Sequence, residues 1–496
     1  MTSESILLDL PSPPADPPPA PAIARPRADW VEVASGMPYF VDSAGRDWTP
    51  IGQNDSIIWP DLAPLYRRKN PAHAEGHLRW LKDHGVNTLR LMLEYAQVKH
   101  RRYRHIERPF GRYPAAMVQF WDDLFALCER LGLKILLTPI DTFWTWLHWK
   151  HHPYNRANGG PLRHPSEWLT CRDTRAAIKD RFSFAVTRWG GSGALFAWDL
   201  WNEIHPAQGG DSADGFGEFI HDLSRHVTAL ETRLFGRTHP KTVSLFGPEL
   251  IWRPEMGLAE PIFRHPDLDF ASIHIYETGT IDDPPDTVAP AIGTGNIVRA
   301  ALAEITDRRP FFDSEHGPIH AYKDKHITLP EPFDDEYFRH MQWAHLASGG
   351  AGGGMRWPNR KPHVLTHGMR RAQGAMARFL PLIDWQRFAR VNRSAEIAVD
   401  TPDLARFACA DDAQAVVWLL RTDTIGAEGM LRPDARPVAP MIGIPGLRPG
   451  RYRITAWDTA TGAETGSFRA ENGGDLLAFP VPAFARDLAL AVRRER

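Results

Sequence analysis

From Trp48 to Phe379 the chain alternates between short apolar runs and longer amphipathic segments, the order expected of a parallel α/β fold. Apolar residues recur at helical spacing over residues 74–84, 115–131, 174–189, 217–233, 295–305, 335–347 and 368–379. The first three of these stop at Gly85, Gly132 and the Gly190-Gly191 pair. Between them lie strand-like runs, a first one ending at Asn54 and then residues 86–93, 133–140, 194–203, 242–246, 270–276, 309–314 and 349–357. Eight strands separated by helical or long irregular connections predict a (β/α)8 TIM barrel. Alternation within the strands supports this: Leu89, Leu91 and Leu93 share one face with Arg90 opposite, and Ile273 and Ile275 oppose Ser272, His274 and Tyr276. Apolar faces then meet helices, while polar ones line the barrel.

The flanks read differently. Residues 1–28 form a proline-rich segment, with eight prolines between 11 and 28, a composition that favours an extended chain. Residues 31–48 alternate and turn at Asp42-Ser-Ala-Gly-Arg46, a hairpin leading into the first barrel strand, so the barrel unit is expected to span 29–384. From 385 to 496 seven short β-like runs follow with no helix pattern, predicting a C-terminal β-sandwich that braces the barrel.

The chemistry concentrates at two strand ends. In Phe196-Ala-Trp-Asp-Leu-Trp-Asn-Glu-Ile-His205, strand alternation places Ala197, Asp199, Trp201 and Glu203 on one side and Phe196, Trp198 and Leu200 on the other. In Arg309-Pro-Phe-Phe-Asp-Ser-Glu-His-Gly-Pro318, Asp313 and Glu315 fall on one face and Phe312 on the other. Carboxylates inside a doubly covered strand require a site or a hydrogen-bonded network. Two glutamates at neighbouring strand ends are the equipment for cleaving a glycosidic bond, one protonating the leaving oxygen and the other attacking the anomeric carbon or activating water. Glu203 is the expected acid/base and Glu315 the expected nucleophile. Arg90, His274 and Tyr276 are expected to point into the same space, with Asn202 on a sugar hydroxyl, Trp357 as a floor for the ring, and Asp141 and Trp144 lining the cleft.

Composition narrows the alternatives. A net charge of −2 with 24% charged residues argues against nucleic acid or an anionic membrane as partner. Three scattered cysteines suggest neither a disulfide framework nor a metal cluster, and the first ten residues lack the basic and apolar blocks of a leader, so a cytoplasmic protein is expected. His148, His151 and His152 lie close together, yet no acidic ligand recurs at zinc spacing and no His-Glu-x-x-His occurs. The glycine run 349–354 lacks the lysine of a phosphate loop. No cofactor and no metal are expected; the partner is an oligosaccharide or polysaccharide. A non-catalytic carbohydrate-binding protein and a transglycosylase using the same residues are the alternatives.

Trp198-Asp-Leu-Trp-Asn-Glu203 followed by Phe312-Asp-Ser-Glu-His-Gly317 resembles the retaining glycoside hydrolases of clan A, most closely family 5, the cellulase and mannanase group, over residues 45–380. The resemblance implies the same barrel, an acid/base at Glu203 on the fourth strand and a nucleophile at Glu315 on the seventh. It also implies site roles for Arg90, Asn202, His274, Tyr276 and Trp357. The family commonly carries a histidine near the end of the third strand, where this chain has Pro139-Ile-Asp-Thr-Phe-Trp144.

Overall fold

The computed structural model describes residues 29–97, 102–277, 279–319 and 328–495; the proline-rich segment 1–28 lies outside the described residues. The barrel strands are β1 (Gly52–Asn54), β2 (Thr88–Met92), β3 (Lys134–Thr138), β4 (Leu195–Asp199), β5 (Lys241–Thr242 and Ser244–Phe246), β6 (Ala271–Ile275), β7 (Phe311–His316) and β8 (Met355–Arg356). Every pairing among them is parallel. The first segment of β5 pairs with β4 and the second with β6. The two ends of the sheet are therefore one strand interrupted at Val243, and the sheet closes on itself as an eight-stranded barrel.

Around it run α1 (Pro71–Asp83), α2 (Ala115–Leu131), α3 (Arg172–Trp189), α4 (Phe216–Phe235), α5 (Ala289–Glu304), α6 (Glu331–Ala347) and α7 (His367–Phe379). The second helix shows how the sequence sets its bounds. Its apolar stripe, Met117, Phe120, Trp121, Leu124 and Cys128, is buried against the barrel. It ends where Gly132 turns left-handed at φ 67° and the Leu133 N–H reaches back to the Cys128 carbonyl. On β2 the parity holds: Leu89 and Leu91 join the helix-facing core while Arg90 points inward.

Two strands depart from simple alternation. Ile135 pairs with Leu195 but Leu136 with Ala197, so β4 carries a bulge at Phe196. Phe196 consequently turns into the barrel floor, where it meets Phe40, Trp48 and Phe270, instead of sharing the outer face with Trp198. Trp201 is also not on the inner face; it follows the end of β4 and packs outward on Trp168 and Phe219. On β7, Asp313 pairs with Ile273 and Glu315 with His274, leaving Ser314 as the extra residue. Asp313 and Glu315 therefore face opposite ways. Glu315 faces the barrel interior, and Asp313 lies behind the wall beside His316, its own N–H donating to His345 of α6.

The N-terminal strands Val31–Val33, Phe40–Asp42 and Asp47–Trp48 form a small antiparallel sheet, and Phe40 plugs the barrel floor. The C-terminal part is a six-stranded antiparallel sheet, running from Val391–Asn392 to Asp487–Arg494 in sequence, and a three-stranded sheet facing it. One of its strands, Met441–Pro445, was not among the predicted runs, because Gly443 and Pro445 disguise its alternation. Phe407, Cys409, Val416, Trp418 and Trp457 share one apolar core with Trp343, Ala347 and Phe379 of the barrel helices. Arg339 of α6 bridges the same seam to Asp487 at 2.6 Å, and the Trp418 indole donates to that carboxylate.

Candidate active site

The inward residues of β1, β2, β4, β5, β6 and β7 converge on the Arg90 guanidinium at the carboxyl ends of the strands. Its Nη1 donates to Glu315 Oε2 and to Asn54 Oδ1, both at 2.9 Å. Its Nη2 donates to Asp199 Oδ2 at 2.9 Å and to Asn202 Oδ1. The Tyr276 hydroxyl donates to the other oxygen of Glu315 at 2.7 Å. Both oxygens of that carboxylate are thus held, and its rotation is blocked. Burial raises the Glu315 carboxyl above its ordinary value, opposed by the Arg90 charge and the Tyr276 hydrogen bond.

Glu203 reaches the site by a turn. It sits beyond the end of β4 with φ 50°, in the left-handed region that non-glycine residues rarely occupy. Three contacts pin that turn. The Trp201 indole donates to Thr142 Oγ1 at 2.6 Å, Thr142 Oγ1 donates to the Glu203 carbonyl at 2.5 Å, and the Glu203 N–H donates to Ser244 Oγ at 3.2 Å. Ser244 is itself fixed by Asp199, which accepts from its hydroxyl and its N–H. The Glu203 side chain lies 2.7 Å from His274 Nδ1, and one of its oxygens is within 4.8 Å of an oxygen of Glu315. Burial lifts the Glu203 carboxyl to about 7, with Arg90 and His205 opposing and Asp199 and Glu249 reinforcing. Burial also holds His274 down at about 4, so the ring is neutral; with Glu203 ionised it must carry its proton on Nδ1 and donate it to the carboxylate.

The predicted accessory residues divide. Asp141 bridges to Asn202 across the ends of β3 and β4 and accepts a hydrogen bond from the Asn202 amide nitrogen. That bond orients the amide with its oxygen toward Arg90 and one N–H left for a ligand. Trp357 follows β8, half-buried, its ring meeting Trp59 and Tyr95. Tyr95 is buried, and burial together with the charges of Asp141 and Glu315 raises its hydroxyl well above the ordinary value. Trp144 belongs to the short helix Thr142–Leu147, and its side chain lies outside the described residues. Sequence reasoning missed Asn54, Thr142 and Ser244. For Ser244 a signal existed, since Thr242 and Ser244 are polar positions opposite Val243 and Leu245.

The histidine-rich loop takes part in a second buried cluster. Glu94, just past β2, faces His105, His152 and Arg181, and Arg181 also pairs with Glu107 at 2.9 Å. His152 Nδ1 accepts the Tyr154 N–H, so the neutral ring carries its proton on Nε2 and donates it to Glu94 at 3.3 Å. A nitrogen that carries a proton offers no lone pair to a metal. This cluster ties the segments around 105 and 152 to α3 and the barrel, and so stiffens the walls beside the mouth.

No family model matches the chain. A probable mannan endo-1,4-beta-mannosidase F from Aspergillus flavus is 26% identical over 165 residues, 32% of this chain and 34% of that protein, and its counterpart from Aspergillus oryzae matches equally. The chain thus matches about a third of the length of these curated relatives. A solved structure described as a glycoside hydrolase superposes with a TM-score of 0.59 at 14% identity, covering 95% of this chain and 97% of the other. A glycoside hydrolase family 5 structure from Bacteroides vulgatus gives 0.59 at 12% identity, covering 94% and 93%. These likenesses establish the barrel with its appended β-sandwich as a shared fold. In the motifs at the ends of β4 and β7, and in fold over nearly its whole length, the chain resembles glycoside hydrolase family 5.

Proposed function

We propose that this chain is a retaining glycosidase that cleaves O-glycosidic bonds of an oligo- or polysaccharide by double displacement. The observation that carries the reading is the separation of Glu203 and Glu315, with oxygens within 4.8 Å at a barrel mouth. Retaining enzymes hold their carboxyl groups about 5–5.5 Å apart, and inverting enzymes hold them farther apart to admit water. The environments differ in the way the two roles require. Glu203, pushed up to about 7, keeps a proton to give the leaving oxygen. Glu315, fixed by Arg90 and Tyr276, presents its carboxylate to the anomeric carbon. After the glycosyl-ester forms, Glu203 is ionised and takes a proton from the attacking water. The Asn202 amide, oriented by Asp141, supplies a donor to the sugar beside the breaking bond, where such a contact strengthens as charge develops. The sequence relatives are mannanases, so β-mannosides are the first substrates to test.

Glu315→Ala should lower turnover of an aryl β-mannoside or β-glucoside by about four orders of magnitude, the scale on which loss of a catalytic nucleophile acts. Added azide should restore part of the rate on the activated substrate and give the inverted glycosyl azide. Wild-type turnover in that variant, or an inverted product from the unmodified protein, would refute the mechanism. Binding of sugar without turnover of any glycoside would favour a carbohydrate-binding protein instead.

A further inference from the structure

The inward face of β5 ends in an aromatic ring. Beyond Ser244, which receives the Glu203 N–H, strand alternation brings Phe246 to the same face, and its register partner on β6 is His274, the residue beside the Glu203 carboxyl. Phe246 therefore stands next to two of the groups that position the acid/base. Its ring centroid lies 5.7 Å from that of Tyr276, which donates to Glu315, and 5.9 Å from that of Trp252. The backbone that carries the ring is fixed as well. The Gly247 N–H donates to the His274 carbonyl at 2.9 Å, and a Cβ at position 247 would come within 2.5 Å of that oxygen, so only glycine lets β5 leave the barrel this close to β6.

Accessibility separates Phe246 from its inward neighbours. Ser244, His274 and Tyr276 are buried, whereas Phe246 is half-buried, so on this part of the wall it is the residue whose ring meets the open mouth. It also lies on the acid/base flank, because β5 is the strand paired with β4. The group that departs in a glycosidase lies beside the residue that protonates it. The chain around the ring supplies polar partners. Glu249, three residues on, pairs with His205 at 3.2 Å and with Arg253 at 3.1 Å, and the His205 and Arg253 side chains stay 24% and 31% exposed. A flat apolar face with charged groups nearby matches a pyranose, whose C–H face stacks while its hydroxyls hydrogen-bond. We infer that Phe246 is the platform for a sugar in the leaving group, and that the protein favours substrates whose leaving group is itself a pyranose. This rests on the glycosidase reading and adds to it the class of leaving group.

The test compares β-1,4-linked mannobiose and cellobiose with β-mannosyl and β-glucosyl fluoride, whose one-atom leaving group cannot reach the platform. Phe246→Leu keeps apolar bulk against Tyr276 and Trp252 but removes the flat face, and should lower the disaccharide-to-fluoride ratio of kcat/KM about tenfold. Phe246→Tyr restores the face and should keep that ratio near the wild-type value. Should Phe246→Leu fail to fold, Phe246→Met carries the same expectation and the same refutation. A wild-type ratio in Phe246→Leu overturns the inference, as does a tenfold fall in Phe246→Tyr. So does an equal loss on disaccharide and fluoride, because a ring that only props Tyr276 would slow every glycoside alike. Fluoride turnover with neither disaccharide cleaved also overturns it. If the unmodified protein hydrolyses neither the fluorides nor any aryl glycoside, the glycosidase reading falls and takes the platform with it; turnover of the fluorides with a ratio that Phe246→Leu leaves unchanged refutes the platform alone.

Discussion

Two buried arginine clusters stand side by side in this barrel, built from the same kinds of residue and set to opposite ends. Arg90 meets Glu315 and Asp199 at the mouth, with His274 alongside; Arg181 meets Glu94 and Glu107 behind the wall, with His105 and His152 alongside. In the second cluster burial raises Glu94, but Arg181 and the two histidines outweigh it and hold the carboxyl well below its ordinary range, so its charge is fixed. In the first, Glu203 has no guanidinium bonded to it. Burial wins there and leaves a carboxyl at about 7. Buried charge does not mark a site, and neither does a raised carboxyl alone, since burial lifts Asp313 behind the wall to about 8; Glu203 is set apart by standing beside a second carboxylate at the barrel mouth.

The sharpest way to break the comparison is to remove the guanidinium of the closed cluster. Arg181→Met leaves Glu94 and Glu107 buried without their cation and should cost about 3–5 kcal/mol of stability. Denaturant unfolding should show this as a lower midpoint, while the pH profile of whatever activity remains keeps its shape. A variant of normal stability with an altered pH profile would move Arg181 into the chemistry and erase the distinction.

The first cluster was partly legible in the sequence and the second was not. Arg90, His274 and Tyr276 could be aimed correctly because β2 and β6 alternate without an inserted residue. Alternation misplaces Phe196 and Asp313 because β4 and β7 each carry a bulge, and one extra residue in an apolar run leaves no compositional trace; it misplaces Trp201 because β4 ends at Asp199, before that residue. Glu203 arrives at the predicted place by a different route, a strained turn held by Thr142 and Ser244. Glu94, His105 and His152 on connecting segments and Arg181 on α3 meet only because the barrel folds them together, and nothing in their spacing announces it.

A smaller effect sharpens the contrast through pH. With Glu203 at about 7, the protonated acid is lost as pH rises past that value, so kcat/KM should fall about tenfold per unit above about 7 and roughly a hundredfold by pH 9. In the proposed mechanism the acid limb belongs to Glu315, which would have to be ionised to attack. His274, held at about 4 by burial, stays neutral over the working range and should add no limb near 6. Glu203→Gln, assayed on an aryl glycoside whose leaving group needs no proton, should lose the alkaline limb. If the limb survives that substitution, another group is the acid.

A further effect concerns the stability that the mouth gives up. Glu203 combines φ 50° with a carboxyl raised from 4.5 to about 7. Left-handed backbone costs a non-glycine residue about 1–2 kcal/mol, and Glu203→Gly relieves it while losing one hydrogen bond to a neutral histidine, worth about 0.5–1.5 kcal/mol. Near pH 4 these should nearly cancel. Between 4.5 and 7 the folded protein binds the Glu203 proton more tightly than the unfolded chain does, so wild-type stability falls with rising pH over that window. The glycine variant lacks this loss, which a rise from 4.5 to about 7 sets at about 3 kcal/mol by pH 7, and should become more stable than wild type by up to that amount while being inactive. Paired unfolding curves at pH 4 and pH 7 would measure it. An advantage that does not grow between the two would mean the carboxyl titrates alike in both states, and Glu203 would then be no more poised for proton transfer than Glu94.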